Sequence, residues 1–536
     1  VTRDDFVTPP EGRSPRRRGV AVNTAIFALL TGLSRIAGLA REILASSYFA
    51  TSGAFSAFTL AFQLPNLLRM LVADQAITAA FVPAFTELLD QGKRKEAFRL
   101  ASTLFFVILG GLGAVTALFI LLAPVVMPLL AGDQFTPFLD DLTVGLSQIL
   151  FPTVLLLGLN GLTLGILYAY EDFTIGGIAP LVWNLVIFAV LIPLRSAFDG
   201  PDQLYAYAIA VLAGTAAQFL ITLPRLRRLG FRLVRGVDLR DPRVKQVLRF
   251  MLPISFATGL INFSLLINSS VGSTVSDQAP RAIDAAFRIF QLPQGVFALA
   301  LATVLFPTLT RLATARDSDG LRGASANGVR QLALLLIPAG ALFLALSEPI
   351  TRLIYEHGAF GPSSTRQVSE ALFWFAFSLP LTGINLLLTR TFFAVQEAWR
   401  PVLWAGVNVV VNAAVSLALA GPLGIAGVVI GTIAGNVVML AGQLLVLRAE
   451  LGGFEGRRTL VVVAQMTAAA AVLAGVAYGL WYLLDQALGR SLAGQIASVG
   501  GGCAVAIAVY AAAVAAFRIP EGRQLWALVA RRARPS

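Results

Sequence analysis

Apolar runs of about 18 residues or more recur along almost the whole of this 536-residue chain. Each is long enough to cross a bilayer as a helix, which satisfies its own backbone groups where no water is available. The composition agrees: 57% of residues are hydrophobic, 13% are charged and the mean hydropathy is +0.77, against about 25% charged in an ordinary soluble domain. A transmembrane β-barrel would instead show short alternating strands. The expected fold is an all-α polytopic membrane protein with fourteen spans, at roughly 20–46, 55–85, 96–131, 139–169, 175–198, 204–224, 247–272, 281–309, 327–347, 367–395, 401–420, 423–447, 459–484 and 492–517.

The net charge of +12 is distributed as topology rather than as a nucleic-acid surface. With the N-terminus inside, cytoplasmic tails and loops hold 31 of the 41 lysines and arginines. External loops hold five: Arg195, Arg281, Arg352, Arg366 and Arg490. This asymmetry follows the positive-inside rule and puts both termini in the cytoplasm. The head, VTRDDFVTPPEGRSPRRRG, is too basic to pack, and the apolar run behind it is too long for a cleaved signal peptide. The basic stretch 225–249 reads as a cytoplasmic connector against anionic headgroups. A single cysteine, Cys503, excludes an intrachain disulfide, and a single histidine, His357, argues against a histidine metal site.

The chain repeats itself. FQLP occurs at 62–65 and 290–293, and FVPAFTELL at 81–89 matches LFPTLTRLA from 305. Farther on, YAYE at 168–171 matches FAVQ at 393–396, and PLVW at 180–183 matches PVLW at 401–404. The offsets lie between 221 and 228. Four matches in one order make two parallel units of six helices, an N-lobe at 20–224 and a C-lobe at 247–447, joined by 225–246. Parallel repeats of this kind pack about an axis along the membrane normal with the substrate between them. The tails 1–19 and 518–536 and the helical pair at 459–517 lie outside the repeat.

Charged residues inside the spans are costly and therefore informative. Arg35, Arg41 and Glu42 lie in span 1, Arg69 and Asp74 in span 2, and Asp284 and Arg288 in span 8. Four arginines against three acids suggest a cavity for an anionic, phosphorylated ligand, since guanidinium groups bind phosphates through paired N–H donors. The competing reading is an ion-pair network that locks the spans together. Asp284 and Arg288 have the favoured order for a helical ion pair. Arg390, near the cytoplasmic end of span 10, is expected to snorkel. Pro65, Pro83, Pro293 and Pro307 interrupt spans 2 and 8 and serve either as hinges or as static bends.

SRIAGLAREILASSYF at 34–49, AFQLPNLLRMLVADQAITAAFVPAF at 61–85 and FRIFQLPQGVFALALATVLFPTLTR at 287–311 closely resemble the MurJ/MviN family of lipid II flippases. So do EPITRLIYEHGAF at 348–360 and LLLTRTFFAVQEAWRPV at 386–402. The resemblance implies two six-helix lobes around a central cavity, with two further helices that form a lipid-facing groove. The implied substrate is the undecaprenyl-pyrophosphate-linked peptidoglycan precursor, and the implied location is the bacterial cytoplasmic (inner) membrane. It assigns substrate binding to Arg35, Arg41, Arg69 and Arg288 with Asn66 and Gln291, and cavity charge partners to Glu42, Asp74 and Asp284. Ser56 stands where many relatives have an acid, and Gln291 where some have glutamate. Asn268, Asn408, Asn412 and Thr432 fall at a position resembling a monovalent-cation site, but without its carboxylates, and are expected to bond between helices.

The expected partners are lipid II and membrane lipids, with cell-wall synthesis or division machinery as further candidates. No cofactor is expected beyond a coupled monovalent ion. The chain has no Walker sequence, HExxH or nucleophile elbow, so a transporter is expected rather than an enzyme. A rival within transport is an exporter of another polyprenyl-linked glycan or of drugs in the same superfamily. A carrier-lipid glycosyltransferase would need an acidic catalytic residue in a sizeable loop, and a non-transporting scaffold would not need the arginines.

Overall fold

The computed structural model of the protein describes residues 14–523 except 73, 235 and 398, without the side chains of 14–28, 70–80 and 250–262. No strand occurs among the described residues. The first helices are α1 (Ser14–Phe49), α2 (Gly53–Val72), α3 (Asp74–Asp90), α4 (Arg94–Leu130), α5 (Pro137–Leu150), α6 (Pro152–Ala169), α7 (Thr174–Leu194), α8 (Gln203–Leu220) and α9 (Thr222–Arg228). They continue as α10 (Pro242–Val275), α11 (Ala279–Pro293), α12 (Leu299–Thr314), α13 (Ser318–Tyr355), α14 (Pro362–Ala394), α15 (Trp399–Glu450), α16 (Gly456–Leu488) and α17 (Leu492–Ala516).

Ten helical stretches among the described residues are long and apolar enough to cross a membrane. One of them, α15, has 52 residues, and a straight helix of that length would span roughly 78 Å, more than twice a bilayer core. Gly424, at φ +58°, turns the chain within it. The halves then pack back to back, because a Cβ on Gly427 would meet the Leu419 carbonyl and one on Gly435 the Asn408 carbonyl. Small residues at four-residue spacing are what permits such an approach between membrane helices. The expected spans 401–420 and 423–447 are the arms of this hairpin. Spans 1, 2 and 7 fall on α1, on α2 with α3, and on α10. The run 55–85, expected as one span, is covered by α2 and α3, with residue 73 between them outside the described residues, and the run 281–309 is α11 and α12 joined through one π-helical stretch, Gln294–Ala298, just after Pro293.

The chain forms two compact units. One takes the chain up to residue 42, then 72–119 and 149–254, and the other takes 43–71, 120–148 and 255 onward. In the first unit, α7 packs along α8, and Trp183 donates its indole N–H to Thr215 at 3.1 Å. The basic connector is tied along α4: Arg243 pairs with Glu96 at 2.9 Å, Arg99 with Asp238 at 3.2 Å, and Ser102 accepts the Val234 N–H at 2.9 Å.

The second unit has an aromatic core in which Phe290 contacts Phe287 and Phe375. A second apolar cluster joins α13 to α16 and α17 through Leu334, Leu346, Met466, Leu473 and Tyr510. Arg330, near the start of α13, pairs with Glu455 and Glu521. Arg352, near its other end, pairs with Asp485. These arginines are 22 residues apart, roughly 33 Å of helix, so the terminal helical pair is fixed to α13 at both ends of a membrane-length segment.

Two sequence expectations are corrected here. Arg281 and Arg352 are buried helical residues rather than loop residues, at 1% and 6% exposure. The segment left between the expected spans 327–347 and 367–395 shrinks to 356–361, because α13 runs to Tyr355 and α14 starts at Pro362.

Candidate substrate site

In the first unit, α1 presents Arg35 exposed, while Arg41 and Glu42 are buried. The Arg41 guanidinium lies over the Trp183 ring, 4.4 Å from its centroid. Among the described residues, its buried Nε has no hydrogen-bond partner. A stacked guanidinium with an N–H still to satisfy is oriented to accept an anion. Asn184, next to Trp183, donates to the Ser34 carbonyl at 3.4 Å and so joins α7 to α1.

In the second unit, α2 carries Asn66 and Arg69 as neighbouring turns. Arg69 donates through Nε and Nη2 to Asn66 Oδ1, at 3.2 and 2.9 Å, which holds the guanidinium along the helix. On α11, Arg288 donates to Asp284 Oδ2 at 2.9 Å, as the spacing predicts, and its side chain remains 35% exposed. The same Asp284 oxygen accepts from Arg281 Nη1 at 3.0 Å. Gln291 is exposed one turn beyond Arg288. The expectation for Asp74 concerns a side chain outside the described residues.

Asn268, Asn408, Asn412 and Thr432 meet as a hydrogen-bonded network. Asn268 donates to Thr432 at 2.9 Å and accepts from Asn412 at 3.3 Å. Ser416 donates to Asn412 Oδ1 at 3.0 Å, and Asn408 donates to Asn436 Oδ1 at 3.4 Å. The oxygens a cation would need are already engaged by amide and hydroxyl donors. Arg390 stacks over Phe306 at 5.7 Å.

Trp183, Ser46, Phe55 and Arg281 were not singled out by sequence. The three non-cationic residues look like ordinary span residues, and Arg281 sits beside a span boundary, where a loop position was the simpler assignment. The acid four residues before Arg288 was the one available signal, since Asp284 lies equally well for Arg281, three residues away. A further feature of the second unit is an apolar cavity of about 340 Å³ between α13 and α17, bordered by Phe297, Leu334, Pro338 and Tyr510, with Arg518 and Arg523 just past the end of α17.

The described residues form an all-helical fold with arginines inside apolar stretches long enough to cross a membrane, which defines a polytopic membrane protein, and two solved structures share the fold. A solved structure titled "Lipid II flippase MurJ, inward closed conformation" superposes with a TM-score of 0.74 at 21% identity, covering 92% of this chain and 98% of that one. An inward-facing multidrug resistance MATE transporter of the MOP superfamily gives 0.67 at 16% identity, covering 81% and 98%. The family model described as lipid II flippase MurJ matches residues 45–493. The probable lipid II flippase MurJ of Rhizobium meliloti is 30% identical over 490 residues, 89% of this chain and 90% of that protein. The lipid II flippase MurJ of Burkholderia cenocepacia is 31% identical over 379 residues, 69% and 73%. The chain belongs to the MurJ family.

Proposed function

We propose that this protein moves lipid II from the inner to the outer leaflet of the bacterial cytoplasmic membrane by alternating access of its two six-helix lobes. The observation that carries this reading beyond family membership is the Arg41 guanidinium, buried, stacked on Trp183 and with its Nε lacking a hydrogen-bond partner among the described residues. A diphosphate is a fitting acceptor, because it offers several oxygens to planar N–H donors. Arg35, Arg69 and Arg288, with Asn66 and Gln291, are proposed as further ligands of the phosphorylated head, each within its own unit. Part of the lipid tail would lie in the apolar cavity between α13 and α17.

Both termini are taken as cytoplasmic on the strength of the charge distribution. Direction then comes from the membrane potential, because moving each negative charge outward from a negative interior releases about 2.3 kcal/mol per 100 mV. The asparagine network serves as packing rather than as an ion site, so no cofactor or coupled ion is invoked.

The test is depletion in a bacterial host. Lipid II should accumulate on the inner leaflet and re-expression should clear it, with Arg41→Ala failing to do so. Unchanged lipid II distribution on depletion would reject the reading.

A further inference from the structure

Arg281 occupies a position that the transport reading leaves unused. Its guanidinium is almost completely buried and is held from both parts of the repeat. On its own helix it donates through Nη1 to Asp284 at 3.0 Å. From the first repeat, Ser46 at the end of α1 accepts its Nη2–H at 2.7 Å, and the Phe55 ring at the start of α2 lies under it at 4.0 Å. Its backbone N–H donates to Ser56 at 3.2 Å. Nearby, Thr51 bonds Ser364 at 2.7 Å, and the Ser47 carbonyl accepts the Ala359 N–H at 2.8 Å. These contacts close one end of the second unit, the end that the charge distribution makes external. The ends of α1 and α2 cannot leave α11 without stripping Arg281 of Ser46 and Phe55.

Asp284 links this closure to the substrate arginine. One carboxylate oxygen, in a side chain 9% exposed, serves both Arg281 and Arg288. A phosphate that draws Arg288 away leaves the carboxylate to Arg281 alone.

We propose that Arg281 is the latch of an external gate, and that Asp284 makes it a positioning residue for transport by coupling occupancy of Arg288 to release of Ser46 and Phe55. The coupling rests on Arg288 being a substrate ligand, whereas the latch does not. By reciprocity, an open gate would also change the affinity at Arg288 by the same factor.

The experiment uses full-length protein in lipid nanodiscs, with Cys503→Ala and a reporter cysteine from Ser364→Cys, a buried seam position. The readout is the rate of labelling by a membrane-impermeant maleimide, with and without added lipid II. Arg281→Gln should label about tenfold faster without lipid II, a loss of about 1.4 kcal/mol of gate stability. Arg281→Lys, which keeps the charge but loses the planar fork, should fall between Arg281→Gln and the parent. Ser46→Ala, a small change that removes one contact from the other side, should also accelerate labelling and keeps the test available if Arg281→Gln does not fold. Lipid II should accelerate labelling of the parent, and Asp284→Asn should abolish that response. Parent-like rates in Arg281→Lys and Ser46→Ala, in protein that melts like the parent, would overturn the latch. A lipid II response that persists in Asp284→Asn would overturn the coupling. A parent that ignores lipid II, with Ser46→Ala still fast, keeps the latch and overturns the coupling, while the depletion experiment decides the flippase reading separately.

Discussion

Arg41 on α1 and Trp183 on α7 form a cation–π pair, with 4.4 Å between the guanidinium carbon and the ring centroid. The indole cannot rotate freely, because its N–H is held by Thr215. The sequence therefore builds a rigid support for a cationic side chain within a single compact unit, and among the described residues the guanidinium plane is oriented by stacking, with no carboxylate paired to it.

That geometry separates charge from shape. Arg41→Lys keeps the charge but loses both the planar fork and the stack, so we expect it to resemble Arg41→Ala in failing to complement a flippase-depleted strain. Charge-assisted hydrogen bonds contribute about 1.5–3 kcal/mol, so lipid II affinity should fall roughly tenfold to a hundredfold by that figure in either variant. Trp183→Phe keeps a ring but loses the Thr215 anchor and should be intermediate. Full rescue by lysine would mean that charge alone steers the substrate. Arg390, stacked on Phe306, should tolerate both replacements.

The terminal helical pair should behave as part of the second unit rather than as a detachable accessory. Arg330 and Glu521 are both buried, at 3% and 1% exposure. Removing one partner of a buried ion pair costs about 3–5 kcal/mol, while replacing both with apolar residues is often neutral. Glu521→Ala should therefore lower the melting temperature and expose α17 to hydrogen exchange. The pair Arg330→Met with Glu521→Leu should restore most of the loss. A single variant as stable as the parent would show that the cluster does not hold α17.

The helical class was legible because an apolar run in a bilayer has few alternatives, and the Asp284–Arg288 pair because helical spacing is local. Other features depended on contacts distant in sequence or on backbone detail. Arg281 was placed in a loop because a charge beside a span boundary normally faces water, and only Ser46 and Phe55, more than 200 positions away, show why it is buried. The α15 hairpin matches the two expected spans 401–420 and 423–447, but the close seam at Gly427 and Gly435 requires knowing which faces meet.

The asparagine network predicts how the protein responds to salts. Its amide groups already bond one another and Thr432, so replacing sodium by potassium at constant membrane potential should leave the flipping rate unchanged. Asn412→Ala should destabilise the protein by about 1–3 kcal/mol, the cost of leaving buried partners unsatisfied, as read from thermal melting. A rate that follows sodium concentration in the parent and is lost in Asn412→Ala would make the network an ion site after all.

Orientation can be tested at two glycines chosen for their surroundings. An added Cβ at Gly361, in the turn before α14, meets nothing within 4 Å, and the same holds for Gly456 at the start of α16. Gly361→Cys and Gly456→Cys should both fold in a Cys503→Ala background. On the orientation proposed from the 31-to-5 distribution of basic residues, the first would lie outside and the second inside. An impermeant maleimide added to intact spheroplasts should therefore label Gly361→Cys at once and Gly456→Cys only after permeabilisation. The reverse pattern would invert the topology. It would also move the Arg281 seam to the cytoplasmic end, so the same experiment decides which face of the membrane that seam closes.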